Sequence, residues 1–185
     1  MYELLILGTL MSRSMSGYKL RKILGNSLVP RREISNGVMY PLLRKLEDDG
    51  YIIQSADPDS ARGEKTAHIT DRGREHFQEM MSAPVVADGK RESVYRFKIR
   101  AFGEIQPDVQ IEILDAFADT VQQDLDEFIR SRNHLQQKLH VDESRAEHLE
   151  WTIQTLDLSI ALSETKQRWI AGCRRKIALA VKKEN

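Results

Sequence analysis

The chain has 185 residues, enough for one large domain or two small ones. Its 28 basic and 28 acidic residues balance, which excludes a polycationic coat over the whole molecule, and its one cysteine, Cys173, excludes an intrachain disulfide and fits a reducing cytosol. The histidines His68, His76, His134, His140 and His148 show no metal-ligand pairing, no phosphate-cradling glycine loop appears and Cys173 has no evident activating base, so neither an enzyme, a cofactor nor a metal centre is indicated.

Residues 2–11 read as a first helix with Leu4, Leu5, Leu7 and Met11 available for burial. No basic segment precedes this apolar run and it is too short to span a bilayer, so the expectation is a cytoplasmic protein whose start belongs to a folded core. Residues 12–15 break the helix. Ser16 then caps a second one through about residue 24, with Tyr18, Leu20, Ile23 and Leu24 apolar and Gly25 and Asn26 as its stop. The connection over residues 27–34 exceeds a tight helix-turn-helix turn and carries Pro30, Arg31 and Arg32.

The chain is organised around residues 35–50. Ser35 is placed to cap a helix, Met39, Leu42, Leu43 and Leu46 recur at helical spacing, and Gly50 ends it. The opposite side then carries Asn36, Gly37, Tyr40 and Arg44, with Tyr40 and Arg44 one turn apart. Pro41 removes a backbone donor to residue 37 and predicts a local bend near Tyr40. An amphipathic surface helix with merely solvated Arg44 and Lys45 would show the same pattern. The residues after Gly50 discriminate between the two: a β-prone run over 51–55, a turn-rich segment over 57–63 with Arg62, and a second β-prone run over 65–70. Helix, strand, basic turn and strand make a winged-helix layout.

Charge distribution supports a nucleic-acid face. Between residues 19 and 45 stand Lys19, Arg21, Lys22, Arg31, Arg32, Arg44 and Lys45 against the single acid Glu33. The major groove of B-form DNA admits one helix whose first residues reach base edges, while neighbouring elements contact phosphate. Asn36, Gly37 and Tyr40 are therefore assigned to the groove, with Arg44 reaching guanine or phosphate. Ser35, Tyr18 and Lys19 are assigned to the backbone, and Arg62 and Lys65 of the wing to a flanking phosphate or the minor groove. His68 reads as a surface strand residue.

Three motifs in order resemble the PadR family of bacterial transcriptional regulators. Residues 16–20, Ser-Gly-Tyr-Lys-Leu, resemble its second-helix signature; residues 37–47, including the pair Tyr40 and Pro41, resemble its recognition helix; and residues 69–73, Ile-Thr-Asp-Arg-Gly, resemble the close of its wing. The likeness covers residues 1 to about 81. It implies an aromatic residue shortly before the recognition helix, where this chain has Arg31 and Arg32, and another in the second wing strand, where this chain has Ala67 and so lacks a packing residue.

Thr70 caps a short helix over 71–81, and residues 82–88 with Pro84 read as a linker. A helix over about 89–103 carries Val94, Phe97, Ile99 and Phe102 among Arg91, Arg96, Lys98 and Arg100. Pro107 opens the next helix, whose apolar register Leu114, Ala118, Val121, Leu125, Phe128, Leu135 and Leu139, interrupted by Arg132, is the seam of a coiled coil. Ser144 with Glu147 resembles a capping box at the start of the last helix. Leu149, Ile153, Leu156 and Ile160 form one face of that helix, and Trp151, Leu158, Leu162 and Trp169 form the opposite one. A surface helix needs one apolar stripe, so the second is expected to be a dimer interface, although two flat indoles also invite a planar ligand.

The expectation is a mostly α protein with a small β-hairpin wing. It has a winged helix-turn-helix DNA-binding domain over 1–81, a linker over 82–88, and a three-helix dimerisation and effector domain over 89–185. The partners expected are palindromic double-stranded DNA and a second copy of the chain, with no membrane. The family resemblance implies a repressor released by a small phenolic or other aromatic effector; no effector-binding residue is read from the sequence. The competing class is a winged-helix adaptor that binds protein and not DNA.

Overall fold

In a computed structural model of the chain, residues 1–56, 65–139 and 146–184 are described. Two compact units divide it, Met1–Gln110 and Ile111–Asn185. Among the described residues, no helix is long and apolar enough to cross a membrane.

The first unit is built on α1 (Tyr2–Ser12). Its Leu4, Leu5, Ile6, Leu7 and Leu10 are all buried, so this helix has no apolar stripe but is desolvated around most of its circumference. It packs against α2 (Gly17–Ser27), α4 (Asp71–Ser82), α5 (Arg91–Arg100) and the sheet. As the side-chain spacing predicts, α2 buries Leu20 and Leu24, and its N-cap Ser16 accepts from the backbone N–H of Lys19. The following helix, α3 (Asn36–Asp48), runs through Pro41 and buries Met39, Leu43 and Leu46. Gly50, at φ 75°, turns the chain out of it.

The wing is β2 (Ile52–Ala56) paired antiparallel with β3 (Lys65–Ile69). The break over residues 12–15 turns out to hold structure: β1 (Met15–Ser16) joins β3 on its other edge, giving the order β1-β3-β2. Met15 and Gln54 both lie opposite Ala67. Ala67 is 1% exposed, so it is a packed residue of the middle strand, where α1 meets the sheet, and not a gap left by a missing aromatic. Thr70 caps α4 as its position predicts, accepting from Gly73 N–H while its hydroxyl donates to the Gly50 carbonyl at 2.7 Å.

Residues 83–90 connect α4 to α5 without helix. The spacing places Lys98 among the outward charges of α5, but it is only 3% exposed. Its ammonium donates to the Met81 carbonyl at 2.7 Å and the Ala83 carbonyl at 2.5 Å, satisfying groups at the C-terminal end of α4 that the helix itself leaves unpaired. With Tyr95 and Phe97 also buried, α5 and the 3-10 turn Phe102–Glu104 belong to the first unit, and the predicted helix over 89–103 divides into these two elements.

In the second unit, α6 (Pro107–Leu139, from Ile111 onward) and α7 (Ala146–Glu184) run antiparallel. Three polar pairs mark the register: Asp115 with Arg174, Gln122 with Gln167, and Arg132 with Asp157 at 3.4 Å. Leu114, Val121 and Leu125 of the expected seam are buried together with Phe117, facing Ile153, Ile160 and Ile170. Arg132 interrupts the apolar register because it meets Asp157 across the seam. Ser144 of the expected capping box lies outside the described residues, and Glu147 stands in the first turn of α7.

Candidate nucleic-acid interface

The first turn of α3 is presented by the connection before it. Ser35 occupies the N-cap position, but its side chain makes no cap bond; its backbone carbonyl instead accepts from Val38 and Met39 at 3.1 Å each. Its hydroxyl is thus not committed to the helix. Ser35, Asn36 and Gly37 are exposed, and no side chain at Gly37 keeps an approaching surface from the backbone. Tyr40 is 47% exposed on the same helix and Arg44, one turn on, is exposed. The reach of Tyr40 depends on Gly17: a Cβ there would stand 3.2 Å from Leu43 Cδ1 and 3.5 Å from the Tyr40 ring. The absent side chain therefore lets the start of α2 pack onto α3 directly beneath Tyr40.

Helix α2 contributes a second row. Tyr18 is 54% exposed and Lys19 is exposed beside it. A concavity of about 410 Å³ lies along this side, lined by Tyr18, Arg21, Lys22, Gly25, Asn26 and the connection residues Arg31 to Ile34. Lys22, Arg31 and Arg32 are exposed, so the basic excess seen in the sequence is displayed and not internally neutralised. Arg32 also donates to the Tyr2 hydroxyl at 2.9 Å, which fixes the connection against α1.

The side chain of Glu47 ties the wing to α3. Glu47, in the last turn of α3, accepts from the Gln54 backbone N–H at 2.9 Å and from Gln54 Nε2 at 2.8 Å. Those two bonds, the side-chain one foremost, together with nearby Lys65, hold its carboxyl below the usual carboxylate range, against a smaller opposing effect of burial. Lys65 is exposed at the start of β3. His68 Nε2 lies 2.9 Å from Ser55 Oγ in the hairpin, in keeping with a strand residue. Arg62 lies outside the described residues, so its predicted contact stands without a structural description.

The structure thus brings Ser35, Asn36, Gly37, Tyr40 and Arg44 onto α3, sets Tyr18 and Lys19 on the adjoining α2, and places Lys65 on the wing. Two residues of the face were not selected by sequence reasoning. Val38 is 44% exposed in the first turn of α3, where its methyls suit contact with a thymine methyl, and its place between Gly37 and Met39 was the available signal. Arg21 is the other, and its link to Asn36 spans fifteen residues. On α7, Trp151, Leu158, Leu162 and Trp169 are between 49% and 68% exposed, all on the face opposite the buried Ile153 and Ile160. Among the described residues, no group of histidine, cysteine and acidic side chains is arranged to hold a metal ion.

Residues 6–79 match the model of the transcriptional regulator PadR-like family. No curated protein matches the chain. Among solved structures, it is similar to Bacillus subtilis PadR in complex with operator DNA, at 17% identity, 95% of this chain, 96% of that one and a TM-score of 0.42. It is also similar to a PadR-like transcriptional regulator from Bacillus cereus, at 22% identity, 97% of this chain, 99% of that one and a TM-score of 0.39. A transcriptional regulator from Clostridium thermocellum matches at 21% identity over 42% of this chain and 75% of its own, with a TM-score of 0.38.

Proposed function

We propose, from the match of residues 6–79 to the PadR-like family of transcriptional regulators, that the protein is a homodimeric, sequence-specific DNA-binding repressor of the cytoplasm. The observation that carries the reading is the exposed first turn of α3, with Asn36, Gly37 and Tyr40 displayed between the basic α2 row and the wing. A helix so presented enters the major groove by its N-terminal residues, while Tyr18, Lys19, Ser35, Arg62 and Lys65 take up the sugar-phosphate backbone. Under this reading residues 1–81 are the DNA-binding part, 82–88 the link and 89–185 the dimerisation and effector part, of which α5 and the 3-10 turn pack with the first unit.

The stripe Trp151, Leu158, Leu162 and Trp169 supports the dimer. From the first to the last they make an apolar band about 27 Å long on the helix, and its spacing of seven, four and seven is that of a coiled-coil seam. A second copy joined along this band supplies a second recognition helix for a palindromic operator, whose half-sites lie about 34–36 Å apart. Each exposed indole, Trp151 or Trp169, offers a flat face for an aromatic effector, whose ring stacks on one of them. Such a ligand releases the operator by binding the DNA-incompetent dimer more tightly, with a coupling of about 1–3 kcal/mol.

Fluorescence anisotropy with the DNA upstream of the coding sequence, a scrambled duplex and a salt series tests the proposal. Preference for the upstream duplex, with an affinity that falls with log salt at a slope of about −0.9 for each phosphate contact, is expected. Equal and negligible binding to both duplexes would overturn it in favour of a protein-binding adaptor.

A further inference from the structure

The hydrogen bonding of Asn36 is arranged from outside its own helix. Arg21, on α2, donates from Nη1 to Asn36 Oδ1 at 3.0 Å. Its guanidinium carbon lies 5.7 Å from the centroid of the Tyr18 ring, and the same Nη1 is 4.0 Å from Glu33 Oε1. The side chain is 24% exposed, whereas Lys19, Lys22, Arg31, Arg32 and Arg44 are all exposed. Arg21 is therefore the basic group of this face that is withdrawn from solvent, shared with an acid and aimed at another side chain.

Arginine carries donors and no acceptor, so Asn36 must turn its amide oxygen toward Arg21. Its Nδ2 group is then directed away from the guanidinium. That oxygen has a second lone pair, so Asn36 can still accept from adenine N6 while Nδ2 donates to N7. An amide free to turn over would, half of the time, oppose donor to donor and acceptor to acceptor at the same base.

Resting on the DNA-binding reading above, we propose that Arg21 is a positioning residue for base readout. It holds the Asn36 amide in the one orientation that pairs with adenine and makes no phosphate contact itself. Its contribution is discrimination at a single base pair, not general affinity.

The test measures binding of wild type, R21M, R21K, N36A and the double variant R21M/N36A to the operator and its single-base-pair variants across a salt series. N36A is expected to lose discrimination at one A·T pair and so to identify it. R21M should lower discrimination about tenfold at that same pair, within the range one bidentate contact supplies, with other positions and the salt slope unchanged. R21K, which keeps a donor, should restore part of it, and R21M should add nothing in the N36A background. A uniform loss on all duplexes with a salt slope shallower by about 0.9 would make Arg21 a phosphate contact and overturn the inference. So would unchanged discrimination in R21M, or no position-specific effect in N36A. A wild type without operator preference would remove the DNA-binding reading itself, and this inference with it.

Discussion

Replacing Glu47 with alanine should loosen the wing from α3 in a way that depends on pH. The change deletes the acceptors of two hydrogen bonds from Gln54. Bonds to a charged acceptor contribute about 1.5–3 kcal/mol each. Glu47 is half-exposed, so solvent screening reduces the pair to about 2 kcal/mol, or roughly 4–8 °C in the melting of a chain of this size. Because the folded carboxyl is held below its ordinary value, its stabilisation is fully present above the unfolded glutamate value and is lost as pH falls through the folded one. The E47A penalty should therefore be large at pH 7 and shrink in strong acid. E47Q should cost about half as much, since it keeps an acceptor for the Gln54 N–H and the Gln54 amide can turn over to meet it. Urea unfolding followed by far-UV circular dichroism, together with amide exchange at Gln54, measures both quantities. An E47A penalty that is the same at pH 7 and pH 3, or unchanged protection of the Gln54 amide, would refute the assignment.

Three further outcomes are expected. K98M should lower the stability of the first unit by about 2–3 kcal/mol, because the carbonyls of Met81 and Ala83 lose a charged donor; an unchanged urea midpoint would mean that water replaces the ammonium without loss. Y40A and R44A should each weaken operator binding by about 1–3 kcal/mol while affecting scrambled DNA less, as anisotropy titration would show. If Y40A binds both duplexes like wild type, Tyr40 does not face the groove. W151A/W169A should sediment as monomers at concentrations where the wild type is a dimer, and a dimer that persists would leave the exposed indoles to ligand binding alone.

Periodicity carried most of the fold. The two faces of α7 were separable from sequence because residues about 180° apart around a helix cannot both meet one neighbour, and Ile153 and Trp151 do lie on opposite sides of the desolvation boundary. Thr70 was legible as a cap because capping is local. Features set by distant partners were not legible. Lys98 reads as an outward cation until the end of α4, seventeen residues earlier, is placed beside it. Strand β1 is two residues long, too short for any alternation to register. Glu47 looks misplaced at the negative end of a helix dipole, and only the position of Gln54 explains it. The candidate site divides in the same way: the exposed residues of α3 follow from the helical wheel, while the bond from Arg21 to Asn36 is visible only once α2 and α3 are packed together.

Ala67 has a consequence for exchanging parts between regulators. Its methyl group sits in the middle strand, with Met15 across one edge, Gln54 across the other and α1 against the sheet. A wing transplanted from a homologue with a ring at this place would bring several carbons into a space sized for one, and overpacking of that kind costs about 1–3 kcal/mol. The transferable cassette is therefore not the hairpin alone but the hairpin together with the two residues of β1 and the buried side of α1. A chimaera cut anywhere between them should express poorly even when every base-reading residue is correct.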